Sequence, residues 1–440
     1  MRDAFIRLRR KMDEGRFAEA SWEIVNALKE KGYGSRLEAH LPVADLITEQ
    51  APVKGFRAFK RQLDMERAVA SQQWTDGGIR MRREVFVSRA EDMVVYRLTA
   101  AEAGEAGELL DYKLELRAHC NEGEQPGEAI QAVWDSSVTE AVCEDEHTAY
   151  LYFYSQRDDR PAQKDLQTNE PFVQKESQQD GMYMQKGFGA VARISVAEGR
   201  LELSGSKVRV HAAEQILVII MLYVDEEREH AWRRLHDRLA ENKESYEELL
   251  SKSAALHSAL YHSAEFTLGG DERTEWSRTN EDLVMEAFSD RQSPELIEKL
   301  WRYGRYLFLC GSNPEANPFP LYGLWGGGYQ LQWCHNMANE NLQMIYWHSL
   351  CGNLIDYNQA VFRYMNDRIP AFKKNARQIF GIDGIYMTAG TTPGVSSPTQ
   401  VVPVIINWVG AAGWIAQHYY QYFLYTRDME YARSVLLPYM

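Results

Sequence analysis

The feature that most constrains the fold is a series of segments, between residues 69 and 224, in which apolar and polar residues alternate. "VASQQWTDGGIRMRREVFV" (Val69–Val87) has the pattern of a hairpin with Asp76-Gly77-Gly78 at its turn. The later segments of this kind are "DMVVYRLTA", "TAYLYFYS", "GAVARISVA" and "QILVIIMLYV". Strands at this density predict a large antiparallel β-sandwich.

Helical patterns flank the strands on both sides. Two short helices with apolar faces are predicted at the N-terminus. The residues on these faces are Phe5, Leu8 and Met12 in the first helix, and Phe17, Ile24 and Leu28 in the second. After Val224 a long charged stretch, nearly free of Gly and Pro, predicts one or two connector helices. From Pro294 to Met440 the pattern is helical, with loops rich in Gly, Pro and Asn between the helices.

These changes of pattern predict three domains. Residues 1–224 form the sandwich domain with its helical N-terminal segment, 225–285 a helical linker, and 286–440 a helical domain. The last helical pattern, "SVLLPYM", reaches Met440 without a capping element, so we expect an incomplete helical domain. The polar stretch from Tyr154 to Gly181 is expected to be a long loop between strands.

The composition argues against several classes of binding partner. The formal net charge is −14 and no run of Lys or Arg is present, which argues against nucleic acid and anionic membrane surfaces. No stretch of about 18 apolar residues predicts a membrane span. The N-terminus is charged and lacks the apolar core of a signal peptide, which predicts a cytoplasmic protein. Five widely spaced cysteines do not form a disulfide framework.

No cofactor or metal is expected. "GLWGGG" resembles a phosphate-binding loop, but neither a preceding strand nor a following Lys-Ser/Thr accompanies it. Cys334, His335, His348 and Cys351 lack the paired spacing of a zinc site. Neither a Ser-His-Asp pattern nor an H-E-x-x-H motif occurs.

The most unusual local segment is "HNMANENLQMIYW" (His335–Trp347), where three asparagines, a glutamate, a glutamine and a histidine precede an apolar, aromatic stretch. A buried amide needs hydrogen-bond partners, because an unpaired polar group away from water is costly. The segment is therefore either a structural cluster of polar side chains bonded to one another and to the backbone, or a set of side chains that face a cavity and hold a ligand.

Several segments together resemble one known family. They are "EGRFAEA", "LPVADLIT", "RQLDMERAVASQQWTDGGIRMRREVFVSRAEDMVVYRLTA", "LWRYGRYLFLCGSNP", "LYGLWG", "NENLQMIYW" and "NWVGAAGWIAQHYYQYFLYTRDMEYARSVLLPYM". In these segments the chain resembles glycoside hydrolase family 95, whose members are inverting α-L-fucosidases and some α-L-galactosidases. The resemblance implies a β-sandwich followed by an (α/α)6 barrel, a glycan substrate, and hydrolysis of a terminal α-linked L-sugar with inversion.

The resemblance also implies roles for the asparagines. Asn341 would orient the attacking water, and Asn339 would assist it or bind sugar. An amide oxygen accepts a hydrogen bond from water but is too weak a base to remove its proton, so a carboxylate must complete the reaction. The family's acid glutamate and helper aspartate are expected beyond Met440, and its first strands before Met1. Candidate acids within the helical domain, none of which has surroundings typical of a general acid, are Glu315, Asp356, Asp367 and Asp383.

This chain departs from the family pattern at the pocket. In the family a His-x-Asn sequence usually leads into the asparagine pair. Here position 337 is Met, and His335 is displaced from it by two residues. The further candidates for substrate contact are His335, Glu340, Gln343, Trp325 and Trp408. Ordinary packing is the alternative for the two tryptophans, helix capping for the amides, and a core position for His418.

Two other functions stay open. Sandwich-plus-barrel architectures also occur in disaccharide phosphorylases, in which phosphate replaces water. A non-catalytic sugar-binding protein would keep the pocket without its acid. The sequence does not indicate the sugar, the linkage or the oligomeric state.

Overall fold

The computed structural model describes residues 1–33, 40, 42–50, 55–101, 110–119, 134–157, 163–164, 171–172, 186–268, 278–291, 293–328, 333, 335–393, 396, 398 and 400–440. The chain forms two compact units. The sandwich unit comprises Pro42–Asp159 and Met184–Tyr306, and the helical unit comprises Met1–Leu41, Arg160–Tyr183 and Leu307–Met440.

The strands are β1 (Asp45–Gln50), β2 (Arg57–Asp64), β3 (Val69–Asp76), β4 (Ile79–Ser88), β5 (Met93–Ala101), β6 (Leu110–Arg117), β7 (Trp134–Cys143), β8 (Thr148–Arg157), β9 (Gln163–Lys164), β10 (Pro171–Phe172), β11 (Phe188–Ala197), β12 (Arg200–Ser204), β13 (Lys207–Ala213), β14 (Gln215–Val224), β15 (Asn336–Met337) and β16 (Gly390–Thr391). An eight-stranded antiparallel sheet has the order β2-β3-β4-β5-β14-β11-β8-β7, and a four-stranded one has β1-β6-β13-β12. Contacts of β6 and β13 with β8 show that the small sheet packs on the large one. The predicted antiparallel sandwich is confirmed.

The α-helices are α1 (Arg2–Asp13), α2 (Phe17–Glu30), α3 (Arg228–Glu241), α4 (Tyr246–Tyr261), α5 (Asn280–Phe288), α6 (Pro294–Gly311), α7 (Asn341–Cys351), α8 (Asn358–Asn366), α9 (Ile369–Phe380), α10 (Pro403–Ile406), α11 (Ala411–Thr426), α12 (Met429–Tyr431) and α13 (Leu437–Tyr439). The predicted sequence of strands followed by a helical region is therefore confirmed. Among the described residues, helices long and apolar enough to cross a membrane are absent.

The predicted hairpin of β3 and β4 is confirmed. Asp76 pairs with Ile79, so Gly77 and Gly78 form a two-residue turn with φ angles of 59° and 96°. Positive φ at both turn positions is the geometry that favours glycine, because L side chains rarely adopt it.

Strand β14 is apolar on both faces because both faces of the large sheet are covered. Leu217, Ile219 and Met221 pack in one core cluster with Leu235 and Leu239 of α3. The intervening side chains of β14 point to the opposite face, towards the sandwich interior. Continuous burial explains why "QILVIIMLYV" is a nearly unbroken apolar run.

The N-terminal helices differ from the sequence prediction in their packing partner. The prediction attached them to the sandwich domain, but Leu8, Ile24 and Leu28 pack with Ile379 and Ile406 in the helical unit. An amphipathic pattern defines a buried face without specifying what covers it, which explains the difference. Two residues predicted on these faces, Met12 and Phe17, are exposed. The predicted boundaries at residues 224 and 285 stay predictions, and most of the loop between Tyr154 and Gly181 lies outside the described residues.

The helical unit has an aromatic interior. Tyr419 of α11 stacks on Tyr439 at a centroid distance of 4.3 Å and contacts Phe362 of α8 at 4.4 Å. His418 is buried on the same helix, and the cost of burying its charge lowers its pKa to about 4, so it is neutral near pH 7. Several large apolar side chains of α7 and α11 remain exposed: Met344, Trp347, Tyr420, Leu424 and Tyr425.

Candidate active site

A two-strand ladder supports the amide-rich segment. Asn336 pairs with Thr391, and Met337 pairs with Gly390, which joins β15 to β16. The hydroxyl of Thr391 donates to the carbonyl oxygen of Asn336 at 2.9 Å. The backbone N–H of Ala338 donates to the carbonyl oxygen of Ala389 at 2.6 Å. We call residues His335–Gln343 the amide segment. The ladder fixes its first half before helix α7 begins.

Asn336, the first asparagine of the amide segment, has a structural role. Its buried side-chain nitrogen Nδ2 donates to the carbonyl oxygens of Pro318 and Phe319, at 3.1 and 3.3 Å. The backbone N–H of Phe319 donates in turn to the hydroxyl of Tyr346 on α7, at 2.9 Å. Asn336 and Tyr346 therefore hold the loop before the amide segment. The structural reading of the amide content is correct for this residue.

His335 is almost completely buried, with 1% of its surface exposed. Its Nε2 lies 3.2 Å from the amide oxygen Oε1 of Gln400. Because an amide oxygen can only accept a hydrogen bond, Nε2 carries the proton and Nδ1 is left as an acceptor. Burial lowers the pKa of His335 to about 4, against the opposing effect of the bond to Gln400. The imidazole is therefore neutral near pH 7.

Gly390 makes this contact sterically feasible. A Cβ atom at residue 390 would lie 2.4 Å from Oε1 of Gln400 and 3.2 Å from Nε2 of His335. The first distance is shorter than any real contact, so a side chain there would displace Gln400. Sequence patterns did not predict Gly390 or Gln400 as residues of the site. Neither lies in a recognisable motif, and Gln400 is 65 residues away from His335 along the chain.

Asn339, Glu340 and Asn341 lie where the chain enters α7. Asn341 is the first helical residue and is partly exposed, while Glu340 is the N-cap residue, and its exposed side chain does not cap the helix. A helix N-terminus presents backbone N–H groups without helical partners, and its dipole favours electronegative ligand atoms. The turn thus places two amides and one carboxylate beside a set of backbone donors.

Three side-chain atoms of the amide segment are buried and have no hydrogen-bond partner within the described part of the chain. They are Nδ1 of His335, Oδ1 of Asn339 and Oε1 of Gln343. Gln343 is fully buried, and its Nε2 donates to the carbonyl oxygen of Ala338 at 2.5 Å. All three orphan atoms are acceptors, so they could bind a ligand that donates several hydrogen bonds, such as a polyhydroxylated molecule.

The two candidate tryptophans differ in their surroundings. Trp325 is 51% exposed, and its ring centroid lies 6.0 Å from that of Phe319. Gly323 permits this arrangement, because a Cβ atom there would lie 2.6 Å from the Trp325 ring. Trp408 is half-buried against Ala389, the residue whose carbonyl oxygen receives the N–H of Ala338. Both tryptophans contact elements that support the amide segment.

The acidic side chains proposed from the sequence as candidate acids are all exposed; they are Glu315, Asp356, Asp367 and Asp383. Asp383 pairs with Arg377 at 2.6 Å, and Glu315 with Arg363 at 3.5 Å. Asp356 lies in a short 3₁₀ helix after α7, and Asp367 follows α8. None of the four is bonded to the amide segment among the contacts of the described residues. Groups of three or more His, Cys, Asp or Glu that could hold a metal do not occur within the described ranges, which exclude Cys334.

Comparison with known proteins gives two family matches. Residues 245–440 match the glycosyl hydrolase family 95 catalytic domain, and residues 1–224 match the glycosyl hydrolase family 65 N-terminal domain. Together with the sandwich followed by helices, these matches define the class as glycoside hydrolase. The chain belongs to glycoside hydrolase family 95.

Curated relatives agree with this membership. Alpha-L-fucosidase 2 of Arabidopsis thaliana is 25% identical over 456 residues, covering 99% of this chain and 50% of the relative. The probable alpha-fucosidase A of Aspergillus niger is 22% identical, covering 90% of this chain and 47% of the relative. The chain thus spans about half the length of these relatives.

A solved structure shares the fold. A putative kojibiose phosphorylase from the human microbiome superposes with a TM-score of 0.55 at 12% identity, covering 91% of this chain and 48% of that one. At this identity the likeness concerns the fold alone.

Proposed function

We propose that this protein acts in the hydrolysis of a terminal α-linked L-sugar, an α-L-fucoside or a related L-sugar, with inversion at the anomeric carbon. Family membership and the names of the two curated relatives support this substrate class. The structural observation that carries the proposal is the set of three orphan acceptors in the amide segment. A buried polar atom left without a partner costs about 1–3 kcal/mol, so three within nine residues are best explained by a ligand that completes them.

In this proposal Asn341 positions the attacking water. Its amide lies at the first turn of α7 and is partly exposed, so solvent reaches it. The amide oxygen accepts a hydrogen bond from the water, while a carboxylate elsewhere removes the proton. Asn339, two residues earlier, assists the same water or binds a sugar hydroxyl through its orphan Oδ1.

The remaining contacts are assigned by exposure and hydrogen-bonding capacity. Nδ1 of His335 and Oε1 of Gln343 each accept a hydrogen bond from a sugar hydroxyl. Exposed Glu340 contacts the sugar from the side of the turn. The exposed ring of Trp325 offers an apolar face for sugar C–H groups, and Trp408 does so from its partly buried position.

We further propose that the general acid lies outside these 440 residues. Inverting hydrolysis needs two carboxyl groups about 6.5–9.5 Å apart, one of which protonates the leaving group. The carboxylates of Glu315, Asp356, Asp367 and Asp383 are exposed, and two of them are paired with arginines. An exposed carboxylate lacks the apolar, water-excluding surroundings that are typical of a general acid.

The experiment uses the protein expressed from its complete reading frame, with an aryl α-L-fucoside as substrate. Proton NMR of the first-formed sugar identifies the anomer before mutarotation. We expect β-L-fucose as the first product, at a rate independent of phosphate. α-L-Fucose would contradict inversion. A fucose 1-phosphate formed only with added phosphate would indicate a phosphorylase, and saccharide binding without turnover would indicate a binding protein.

A further inference from the structure

A groove with a polar lining lies in the sandwich unit. A groove of about 650 Å³ runs between helix α4 and the outer face of the large sheet. The charged and aromatic residues among its lining are Arg67, Arg82, Glu84, Arg97, Tyr246 and Glu247. None of these residues belongs to the amide segment, which lies in the other unit.

Glu84 organises the floor of this groove. It is 4% exposed and accepts hydrogen bonds from Nη2 of Arg82 and Nη2 of Arg97, each at 2.7 Å. Arg97 also pairs with the exposed carboxylate of Glu247. Both carboxylate oxygens of Glu84 are therefore satisfied, and its charge is balanced. Its role is to hold two guanidinium groups in place.

The arginines retain unused donors. A guanidinium group has five N–H donors, and Arg82 uses one of them on Glu84. Arg67 is exposed and forms no ion pair with the described residues. Three guanidinium groups face two carboxylates, so the lining is net positive, in a chain whose formal net charge is −14.

Tyr246 adds a buried donor without a partner. The residue is 2% exposed, and its hydroxyl has no hydrogen-bond partner in the part of the chain that the structure describes. The Arg97 guanidinium lies 3.5 Å from the ring centroid, and Phe86 packs edge-on at 5.5 Å. Burial raises the pKa of Tyr246 to about 12, so the hydroxyl stays protonated and can donate.

We propose that this groove binds a small organic molecule carrying an oxyanion, held by the guanidinium groups of Arg67 and Arg82 and by the hydroxyl of Tyr246. Guanidinium groups match the geometry of carboxylate and phosphate oxygens. The ligand oxygen gives the Tyr246 hydroxyl the acceptor that it lacks. The volume of the groove exceeds that of an inorganic ion and accommodates a monosaccharide-sized body. This site is independent of the proposed hydrolysis.

The test is calorimetric titration of the full chain at low salt with three probes of similar size: glucuronate, glucose 6-phosphate and glucose. We expect at least one anion to bind at least about tenfold more tightly than glucose, since charge-assisted hydrogen bonds are the stronger kind. The two anionic probes distinguish a carboxylate ligand from a phosphate ester. Equal binding of glucose, or no binding of either anion, would overturn the proposal.

Matched variants locate the site. Arg67→Ala should weaken anion binding at least about fivefold, whereas Arg61→Ala, which removes an exposed arginine of β2 outside the groove, should leave it unchanged. Equal losses in the two variants would mean non-specific attraction and would refute the site.

Two further variants test the chemistry. Glu247→Gln removes a negative charge from the lining while keeping an acceptor for Arg97, so anion binding should tighten. Weaker binding in this variant would contradict an anion site. Tyr246→Phe should weaken anion binding while leaving the melting temperature of the free protein unchanged or raised, because the deleted hydroxyl has no partner. A lower melting temperature with unchanged anion binding would show that the hydroxyl is structural.

Discussion

The buried charges of Glu84 and Arg193 in the sandwich and the buried acceptors of the amide segment differ in whether they have hydrogen-bond partners. In the sandwich, buried Glu84 is paired with two arginines, and buried Arg193 donates to the carbonyl oxygens of Leu239 and Asn242. In the amide segment, three buried acceptors lack partners among the described residues. A satisfied buried charge contributes to a rigid frame, whereas clustered orphan acceptors indicate a place where a ligand completes the hydrogen bonding. Orphan atoms also occur among the described residues of the sandwich, for example the Tyr246 hydroxyl, but three of them do not fall there within nine residues.

The largest stability effect is expected in the sandwich interior. Leu151 on β8 is fully buried, so Leu151→Ala should lower the free energy of unfolding by about 4 kcal/mol through lost burial and a residual cavity. Val87→Ala on β4, where the side chain is 62% exposed, is the matched control and should change it by less than about 0.5 kcal/mol. Urea denaturation, followed by the circular dichroism signal of the β-sheet, measures the free energy of unfolding of both variants. Similar small losses in the two variants would mean that β8 does not form the core.

The next effect concerns pH and the helical unit. Burial lowers the pKa of His335 to about 4 from an ordinary value of about 6.5, so the unfolded chain binds more protons between these values. Stability contributed by neutral His335 is present above about pH 6.5 and is lost as the pH falls towards 4. The loss amounts to about 3 kcal/mol.

His335→Gln isolates this contribution. The variant should lose less stability than the wild type between pH 7 and pH 4.5, as measured by denaturation at each pH. His418→Gln is the matched control, because His418 is buried with the same lowered pKa but lies on α11. His418→Gln should reduce the pH dependence of the free energy of unfolding by a similar amount while leaving saccharide binding intact. An unchanged slope for His335→Gln would contradict the buried neutral imidazole.

A smaller effect is expected where β16 touches Gln400. Gly390→Ala places a Cβ atom 2.4 Å from Oε1 of Gln400, which must move and release His335. The expected loss is about 2 kcal/mol. Gly413→Ala on α11, where a Cβ meets nothing within 4 Å, should instead stabilise the protein by up to about 1 kcal/mol. Thermal melting of the two variants should therefore shift in opposite directions, and shifts of the same sign would refute the close contact.

The smallest stability effect is expected for Gln343. Gln343→Leu removes one hydrogen bond to Ala338 together with one orphan acceptor, so the free energy of unfolding should change by less than about 1 kcal/mol. Saccharide affinity, measured by calorimetry, should fall more than stability does. If the free energy of unfolding fell by about 3 kcal/mol or more, the amide segment would instead be a purely structural cluster of polar side chains.

The sequence predicted regular elements well because their signals are local. The β3–β4 hairpin follows from two glycines that adopt positive φ at a two-residue turn, and the charged stretch after Val224 follows a helical period that α3 and α4 confirm. The partner of α1 and α2 could not be predicted, since an apolar face matches any apolar surface.

The candidate site was predictable in part. The amide content marked the correct segment, but composition could not distinguish Asn336, which is bonded to backbone carbonyls, from Asn339, whose Oδ1 is an orphan. Gln400 contacts His335 and lies against Gly390 of the β15–β16 ladder, and no periodic pattern predicts a two-residue ladder. The proposed roles of the amide segment stay predictions.

The central claim is that Asn341 positions the attacking water. The most direct test measures kcat and KM of Asn341→Ala on an aryl α-L-fucoside, in the protein expressed from its complete reading frame. Asn407→Ala is the control, because that asparagine donates to the carbonyl oxygen of Ser21, away from the amide segment. We predict that kcat falls at least about 100-fold in Asn341→Ala while KM changes less than about threefold, and that the control retains both. An unchanged kcat in Asn341→Ala would contradict the assignment.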